Sequence, residues 1–183
     1  MTNLFDLTDR AALVTGGGRG IGRACALGLA AAGADVAVLD IDSAGAEELV
    51  AAIERMGRRA CFIPCDVTQA EQVTLAVDGA ADRFGRLDIA VNNAGVWRRG
   101  EDEAQSPEDW EAVISVNLTG VWLCAMAEMK CMRANTPVEG KIINIASIGS
   151  FVYAGNGAYD AAKAGVVQMS RSLAAQWGRY NIN

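Results

Sequence analysis

Residues 11–40, AALVTGGGRGIGRACALGLAAAGADVAVLD, combine a short apolar run, a glycine-rich turn, an alanine-rich segment and a second apolar run that ends in an acid. The apolar runs at 11–14 and 35–39 predict two buried strands, and the good helix formers at 24–32 predict a helix between them. Residues 15–22 form the turn that leaves the first strand. The stretch therefore predicts a β-α-β unit opened by glycines.

Three glycines of this turn have separate predicted functions. Gly16 permits the tight turn, Gly20 lets the backbone approach a phosphate, and Gly22 lets the helix pack close to the strand. Free N–H groups at the start of the helix attract anions. An ordinary glycine-rich turn is the alternative, because the spacing is G-x-x-x-G-x-G instead of G-x-G-x-x-G. The turn alone leaves both interpretations open.

Asp40 ends the second apolar run and follows Gly22 by 18 residues. A carboxylate at the carboxyl end of this strand accepts hydrogen bonds from a ribose diol and repels a 2′-phosphate. We therefore expect NAD to be favoured over NADP, although Arg19 in the turn offers a compensating cation.

Composition limits the class of protein. The 183 residues are 51% hydrophobic and 21% charged, which predicts a single globular domain over residues 1–183. A net charge of −6 argues against nucleic-acid and anionic-membrane partners. Residues 1–10 do not resemble a signal peptide, and no apolar run reaches the roughly 18 residues of a spanning helix. We therefore expect a soluble, cytoplasmic protein.

The chain contains five cysteines, no C-x-x-C motif and no histidine. An odd number of cysteines without a signal peptide indicates reduced thiols. Without histidine the chain cannot assemble a Ser-His-Asp triad, a Cys-His pair or a histidine-ligated zinc site, and we expect no metal. Acid–base chemistry must come from a carboxylate, lysine, tyrosine or cysteine.

Strand and helix patterns alternate along the rest of the chain. Further strands are predicted at residues 60–64, 87–91 and 140–145. Helices are predicted from a Ser43 cap to about residue 56, from a Thr68–Glu71 capping box to about 84, from Ser106-Pro107 to about 132, and over 157–178. This alternation predicts an α/β fold with a doubly wound parallel sheet, the Rossmann fold.

Polar residues and glycines collect at the predicted carboxyl ends of the strands, where such sheets bind ligands. Asp66 and Val67 follow the third strand, and Ser147 follows the fifth. Asn92-Asn93-Ala94-Gly95 follows the fourth strand, where Asn93 can tie adjacent strand ends together and Gly95 lets the backbone pass close to a cofactor. A plain Asx turn is the alternative for this last segment.

Tyr159 and Lys163 are four residues apart on the last predicted helix and therefore share a face. A phenol has an ordinary pKa near 10, and a nearby ammonium group favours the phenolate. The pair therefore predicts a tuned proton donor and acceptor. Asn117, in an apolar helical span, is equally compatible with a backbone contact and with a buried polar site.

In these motifs, taken in order, the chain resembles the short-chain dehydrogenase/reductase family over nearly its whole length. The resemblance implies that Tyr159 is the general acid/base, and that Lys163 lowers the pKa of Tyr159 and binds the nicotinamide ribose. Ser147 would bind the substrate oxygen, and Asn117 would support a water that feeds protons through Lys163. The residues expected to bind the cofactor are Gly16, Arg19, Gly20, Ile21, Gly22, Asp40, Asp66, Val67, Asn93, Ala94, Gly95, Tyr159 and Lys163.

The implied activity is an NAD(P)-dependent oxidoreductase that interconverts a small-molecule secondary alcohol and a ketone. Arg98 and Arg99 could bind a substrate carboxylate, and Trp97 and Tyr153 could pack on a ring or chain. Sugar acids, polyols, steroids and oxoacyl compounds all remain open. A methyltransferase also uses a glycine turn and an acid after the second strand, but it does not require Ser147, Tyr159 and Lys163 together.

The chain departs from the family pattern in two places. The segment from Ser147 to Tyr159 is about one residue shorter than usual, and the chain ends at Asn183, where a sixth strand should begin. We therefore expect a C-terminally incomplete member whose last strands are absent. A catalytically inactive dinucleotide-binding regulatory or subunit protein is the alternative. The apolar last helix, together with the long helix before it, predicts a subunit interface, and the resemblance implies a homodimer or homotetramer. Coverage of this helix by the missing C-terminal segment is the alternative.

Overall fold

A computed structural model describes residues 5–98 and 105–183 of the chain. Its sheet has five parallel strands in the order β3-β2-β1-β4-β5. The strands are β1 (Ala11–Thr15), β2 (Asp35–Asp40), β3 (Ala60–Pro64), β4 (Ile89–Asn92) and β5 (Lys141–Asn144). The predicted doubly wound parallel sheet is confirmed. The strand order reverses between β1 and β4, and this reversal opens a crevice at the carboxyl ends of the two strands.

Helices cover both faces of the sheet. They are α1 (Gly20–Ala31), α2 (Ser43–Arg55), α3 (Ala70–Phe84), α4 (Pro107–Ile114), α5 (Val121–Met132) and α6 (Gly157–Trp177). A π-helical turn, Ser115–Gly120, joins α4 to α5 without a break. Short 3-10 helices span Ile148–Ser150 and Gly178–Tyr180.

The central strand β1 contributes to two separate cores. Ala11 and Leu13 pack in the core formed with α3, α5 and α6, whereas Ala12 and Val14 pack in the core formed with α1 and α2. All five residues of β1 are buried. This explains why the strand is a continuous apolar run, since a strand covered on both faces has no solvent-facing side.

Two of the predicted helix caps are wrong. Asp42 caps α2 by accepting a 3.1 Å hydrogen bond from the N–H of Ala44, and Ser43 is the first helical residue. The Thr68 hydroxyl donates a 2.8 Å bond to the Asp66 carboxylate, so it does not cap α3. At α2 the Asp42 carboxylate, a stronger acceptor than a hydroxyl, takes the capping role. At α3 no side chain among the described residues accepts a capping bond, because the Thr68 hydroxyl is bonded to Asp66.

The other helix start is confirmed. The Ser106 hydroxyl accepts a 3.0 Å bond from the N–H of Asp109, and Pro107 occupies the first helical position. The last residues of the chain begin to pair with the outer edge of β5 through a parallel bridge between Gly140 and Ile182. This bridge lies where the start of a sixth strand is predicted.

The helical span Pro107–Met132 is long and apolar enough to cross a membrane by length and composition alone. Core helices of soluble proteins pass the same test, and this span packs on α3, α6 and the sheet. It is therefore weak evidence for a membrane span.

Candidate active site

The glycine turn brings the backbone of β1 against the segment after β4. Gly16 has a φ of 62°, and a Cβ built on it would lie 2.8 Å from the Cα of Ala94. A Cβ on Gly22 would overlap the carbonyl oxygen of Gly16. The predicted functions of these two glycines, a tight turn and close helix packing, therefore match the geometry.

Asn93 ties the ends of β1 and β4 together. Its Nδ2 donates to the carbonyl oxygens of Thr15 and Gly16, at 3.1 and 3.0 Å. The Thr15 hydroxyl in turn accepts bonds from the N–H groups of Asn93 and Ala94, both at 3.0 Å. The amide thus holds the glycine turn in place, as predicted from its position at the strand end.

Asp40 closes the other side of the turn. Its Oδ2 accepts a 2.9 Å bond from the N–H of Gly18, and its Oδ1 accepts a 3.1 Å bond from the N–H of Asp42. Each carboxylate oxygen has further acceptor capacity, so these bonds leave the group able to accept from a ligand hydroxyl. The carboxylate is half-buried at the mouth of the crevice.

A cleft of about 460 Å³ opens above the strand ends. It is lined by Gly16, Arg19, Gly20, Ile21, Asp40, Ile41, Cys65, Asp66, Val67, Asn93, Ala94, Gly95, Val96 and Val116. Ten of the residues predicted to bind a cofactor are therefore brought together, whereas Gly22, Tyr159 and Lys163 lie outside the lining. The lining residues that were missed are Ile41, Cys65, Val96 and Val116. Apolar residues of this kind carry no sequence signal that distinguishes them from core residues.

Asn117 lies in the π-helical turn and is fully buried. Its Nδ2 donates to the carbonyl oxygens of Val96 and Val113, at 2.8 and 3.1 Å, and its Oδ1 accepts a 3.1 Å bond from the N–H of Val96. Both amide hydrogens are thus used by the backbone. The side chain holds Val96, a residue of the cleft lining, so the expected backbone contact of Asn117 is present. The role in proton supply that the family resemblance implies for Asn117 stays a prediction.

Lys163 is 3% exposed, and its Nζ donates a 2.7 Å bond to the carbonyl oxygen of Ile145, the first residue after β5. Burial lowers the pKa of this ammonium group from its ordinary value. Its Nζ lies 5.7 Å from the centre of the Tyr159 ring. The predicted pair therefore does share one face of α6, anchored to a strand end.

Tyr159 is half-buried and stacks on Trp97, with ring centroids 4.9 Å apart and planes at 56°. Trp97 directly follows Val96 of the cleft lining, so the Tyr159 ring packs against the residue next to the cleft. Ser147, half-buried, follows β5 and caps the 3-10 helix by accepting a 3.1 Å bond from the N–H of Gly149. This 3-10 helix packs against α6, the helix of Tyr159.

Two polar residues that hold Tyr159 in place were missed. Asn156 caps α6 by accepting a 2.9 Å bond from the N–H of Tyr159, and its Nδ2 donates to the carbonyl oxygen of Arg98. Gln105 donates to Asn156 and accepts a 2.9 Å bond from the N–H of Ala158. An asparagine three residues before Tyr159 is a recognisable cap signal, but Gln105 could not be found from sequence because it is 51 residues away.

The substrate-facing predictions have mixed outcomes. Arg98 lies 4.0 Å from the Asp109 carboxylate in a solvent-exposed ion pair, and Tyr153 is 80% exposed. Arg99 lies outside the described residues. Neither Arg98 nor Tyr153 lines the cleft.

Comparison with known proteins identifies the family. The family model described as short chain dehydrogenase matches residues 10–183. This chain belongs to the short-chain dehydrogenase/reductase family. The 3-oxoacyl-[acyl-carrier-protein] reductase of Synechocystis is 42% identical over 172 residues, which cover 93% of this chain and 69% of that protein. The levodione reductase of Leifsonia aquatica is 39% identical over 179 residues, covering 96% and 66%.

Solved structures of the short-chain dehydrogenase/reductase family share the fold. A short-chain type dehydrogenase/reductase from Mycobacterium marinum aligns with a TM-score of 0.93 at 34% identity, covering 98% of this chain and 74% of that one. The chain spans about two thirds of the length of the curated relatives it matches. The prediction of an oxidoreductase of this family is confirmed.

Proposed function

We propose that the protein is an NAD(P)-dependent oxidoreductase that interconverts a secondary alcohol and a ketone, with Tyr159 as general acid/base. The observation that carries the proposal is the closeness of two sites: Val96 lines the cleft, and the next residue, Trp97, packs on the ring of Tyr159. Lys163, on the same helix, bonds to the strand end beside the cleft.

The cleft has features suited to a dinucleotide. A Cβ at Gly16 would meet Ala94, so the turn requires glycine at this position. Gly20, which also lines the cleft, has a φ of 56° and open space within 4 Å of its Cβ position, so the backbone there can approach a phosphate. Asp40 offers acceptor oxygens for a ribose diol. When bound, NAD(P) would supply the hydride chemistry, and the protein would supply orientation and a proton path.

The proton path uses residues of α6 and the segment after β5. In oxidation Tyr159 accepts the hydroxyl proton of the substrate, and in reduction it returns one. The Lys163 ammonium, held by the carbonyl of Ile145, places positive charge beside the phenol ring. Ser147 offers a hydroxyl to the substrate oxygen, as the family resemblance implies.

The test is Tyr159→Phe, assayed with secondary alcohols and ketones by the change in NAD(P)H absorbance. We expect turnover to fall by about 10² to 10⁴ while NAD(P)H binding is retained, since only the proton donor and acceptor is lost. Tyr180→Phe is the control, because Tyr180 packs between Arg133 and Arg179 at the other end of α6. Wild-type binding of NAD(P)H without turnover of any substrate would favour the inactive regulatory alternative.

We infer a preference for NAD over NADP from Asp40, which lines the cleft with its carboxylate. Asp40→Asn keeps one acceptor oxygen and removes the charge. We expect the variant to bind NADPH more tightly relative to NADH than the wild type does, because charge repulsion of a 2′-phosphate is lost. Fluorescence titrations with NADH and NADPH give the ratio of the two dissociation constants. An unchanged ratio in Asp40→Asn would contradict the inference.

We also propose a homodimer or homotetramer. Support comes from apolar residues of α5 and α6 that the single chain leaves uncovered: Trp122 is 46% exposed, and Ala161, Ala174 and Ala175 are exposed. Sedimentation of the wild type and of Trp122→Glu tests this proposal. A wild-type monomer would overturn it.

A cytoplasmic location stays a prediction, with which the five free thiols agree.

A further inference from the structure

Glu128 of α5 is completely buried beneath the strand ends that carry the site. Its Oε2 accepts a 2.9 Å bond from Nδ2 of Asn92, the last residue of β4. Within residues 5–98 and 105–183 no lysine or arginine forms an ion pair with it. An isolated buried carboxylate is very unfavourable, so the state of this group requires an explanation.

The hydrogen bonds around Asn92 determine which way its amide points. The Ser170 hydroxyl donates 2.8 Å to the carbonyl oxygen of Val166 and therefore accepts from Nδ2 of Asn144, at 2.9 Å. Oδ1 of Asn144 then faces Asn92 and accepts a 3.0 Å bond from its Nδ2. Both hydrogens of this Nδ2 are thus used, one for Asn144 and one for Glu128.

Two buried oxygens remain without a partner in this network: Oδ1 of Asn92 and Oε1 of Glu128. Both are acceptors if Glu128 is ionised, so neither can satisfy the other. A proton on Glu128 supplies the one donor that the pair lacks. The acid O–H then donates to the amide oxygen while the amide N–H donates to the other carboxyl oxygen.

We propose that Glu128 is a neutral carboxylic acid that pairs with the Asn92 amide, and that this buried acid–amide pair is a positioning element for the active site. Asn92 and Asn144 are partners in the register of β4 and β5. The residue after Asn92 is Asn93, which holds the glycine turn, and the residue after Asn144 is Ile145, which holds Lys163. This role rests on the proposed function, but the protonation state of Glu128 does not.

The surroundings of Glu128 favour the neutral form. Its own helix presents the thiols of Cys124 and Cys131, and burial raises the pKa of both. The neighbouring helix α3 presents Asp78 and Asp82 toward Cys131, and Cys65 after β3 faces Cys124. The ends of β4 and β5 contribute the amides of Asn92 and Asn144. Burial, opposed in part by the bond from Asn92, raises the pKa of Glu128 to about 8.

The sign of the pH effect follows from this assignment. The unfolded chain releases the Glu128 proton near a pH of about 4.3, whereas the folded chain keeps it to about 8. Between these values the folded state binds one proton more, so the wild type loses stability as pH rises. Glu128→Gln preserves the pair, because its amide can accept from Nδ2 and donate to Oδ1 of Asn92, and it carries no titrating proton.

The experiment compares urea unfolding of the wild type and Glu128→Gln between about pH 5 and pH 9. We expect Glu128→Gln to become progressively more stable than the wild type as pH rises across this range. Glu54→Gln, an exposed carboxyl on α2, is the matched control and should show no such divergence. Parallel wild-type and Glu128→Gln curves would overturn the protonation assignment.

Two further measurements separate the positioning role from the protonation state. Difference infrared spectra at neutral pH should contain the carbonyl stretch of a protonated acid that disappears in Glu128→Gln, and its absence would contradict the neutral acid. Glu128→Leu, which fills the space without hydrogen bonds, should weaken NAD(P)H binding several-fold, whereas Glu128→Gln should retain it. Equal binding by both variants, with the infrared band present, would leave a neutral acid and overturn its positioning role.

Discussion

Individual side chains around the cleft are anchored to the main chain more than to one another. Asn93 bonds to the Thr15 and Gly16 carbonyls, Asn117 to both backbone groups of Val96, and Lys163 to the Ile145 carbonyl. Backbone positions at strand ends are determined by the sheet. Side chains bonded to these backbone groups are therefore held in fixed positions. Fixed positions favour a site that must align two reactants.

Gly16→Ala should damage both the fold and the cofactor site. The residue has a positive φ, and a new Cβ would meet the backbone of Ala94, so we expect a loss of about 1–3 kcal/mol in the free energy of unfolding and much weaker NAD(P)H binding. Gly57→Ala is the matched control, since Gly57 has a φ of 80° with nothing within 4 Å of its Cβ position. Urea unfolding and cofactor fluorescence measure both effects. Equal effects of the two substitutions would show that strain alone is responsible.

Trp97→Ala should lower turnover by removing the ring on which Tyr159 packs. Aromatic pairs contribute about 0.5–1.5 kcal/mol, so we expect kcat/KM to fall roughly 2- to 13-fold. Trp97→Phe should recover most of the loss, and Trp110→Ala, which removes another half-exposed tryptophan, should have no effect. A Trp97→Ala enzyme with wild-type kcat/KM would exclude this support of the phenol.

At the scale of elements, the start of α6 is where the two parts of the site are joined. Asn156 caps the helix and also bonds to the carbonyl oxygen of Arg98, while Gln105 bonds to Asn156 and to Ala158. The segment after β4 is thereby held against the helix that carries Tyr159. The π-helical turn at Asn117 performs the corresponding function on the other side of Val96.

Two cap substitutions test whether the cap of α6 positions Tyr159 in addition to stabilising its helix. Asn156→Ala and Ser106→Ala each remove the side-chain acceptor at a helix N-terminus, and each should cost about 1 kcal/mol in the free energy of unfolding. Only Asn156→Ala should also reduce turnover, because only that cap positions Tyr159. Thermal unfolding and the NAD(P)H assay measure the two effects. Equal activity of the two variants would contradict a positioning role for the α6 cap.

At the scale of the whole molecule, one end of the sheet forms the binding cleft and the opposite end contributes stabilising ion pairs. The carboxyl ends of the strands carry the cleft, and the amino ends carry ion pairs around buried carboxylates. Asp88 accepts from Arg10, Arg86 and the N–H of Ala11, and Asp35 accepts from the two arginines that precede β3. Binding and stability are thus separated along the strand direction, as is usual in open α/β sheets.

Acid should destabilise the protein through Asp88 and Asp35. Burial raises the pKa of each carboxyl, but hydrogen bonds and arginine charges outweigh burial and hold both values below the ordinary one. The stability they contribute is therefore fully present above the unfolded pKa of about 3.9 and is lost as pH falls through the folded pKa. Asp88→Asn should flatten this acid limb of a urea-unfolding series. An unchanged limb would show that other groups dominate acid unfolding.

The sequence by itself determined the fold class and most residues of the cleft. Strand ends of a parallel sheet meet at one edge, so residues placed after apolar runs, such as Gly16, Asp40, Asp66 and Asn93, could be assigned to one site without coordinates. Local signals failed at Ser43 and Thr68, because an aspartate one or two residues earlier offers a charged acceptor, and helix-start propensity does not rank such neighbouring side chains.

Only the tertiary structure decided which distant residues support the chemistry. Gln105 reaches α6 across 53 residues, Lys163 reaches the carbonyl of Ile145, and Glu128 reaches Asn92 on a strand 36 residues earlier. Each is a polar side chain whose partner is brought near by the crossover connections of the sheet. The burial that makes these bonds necessary arises only when helices pack on both faces, so no local pattern could reveal them.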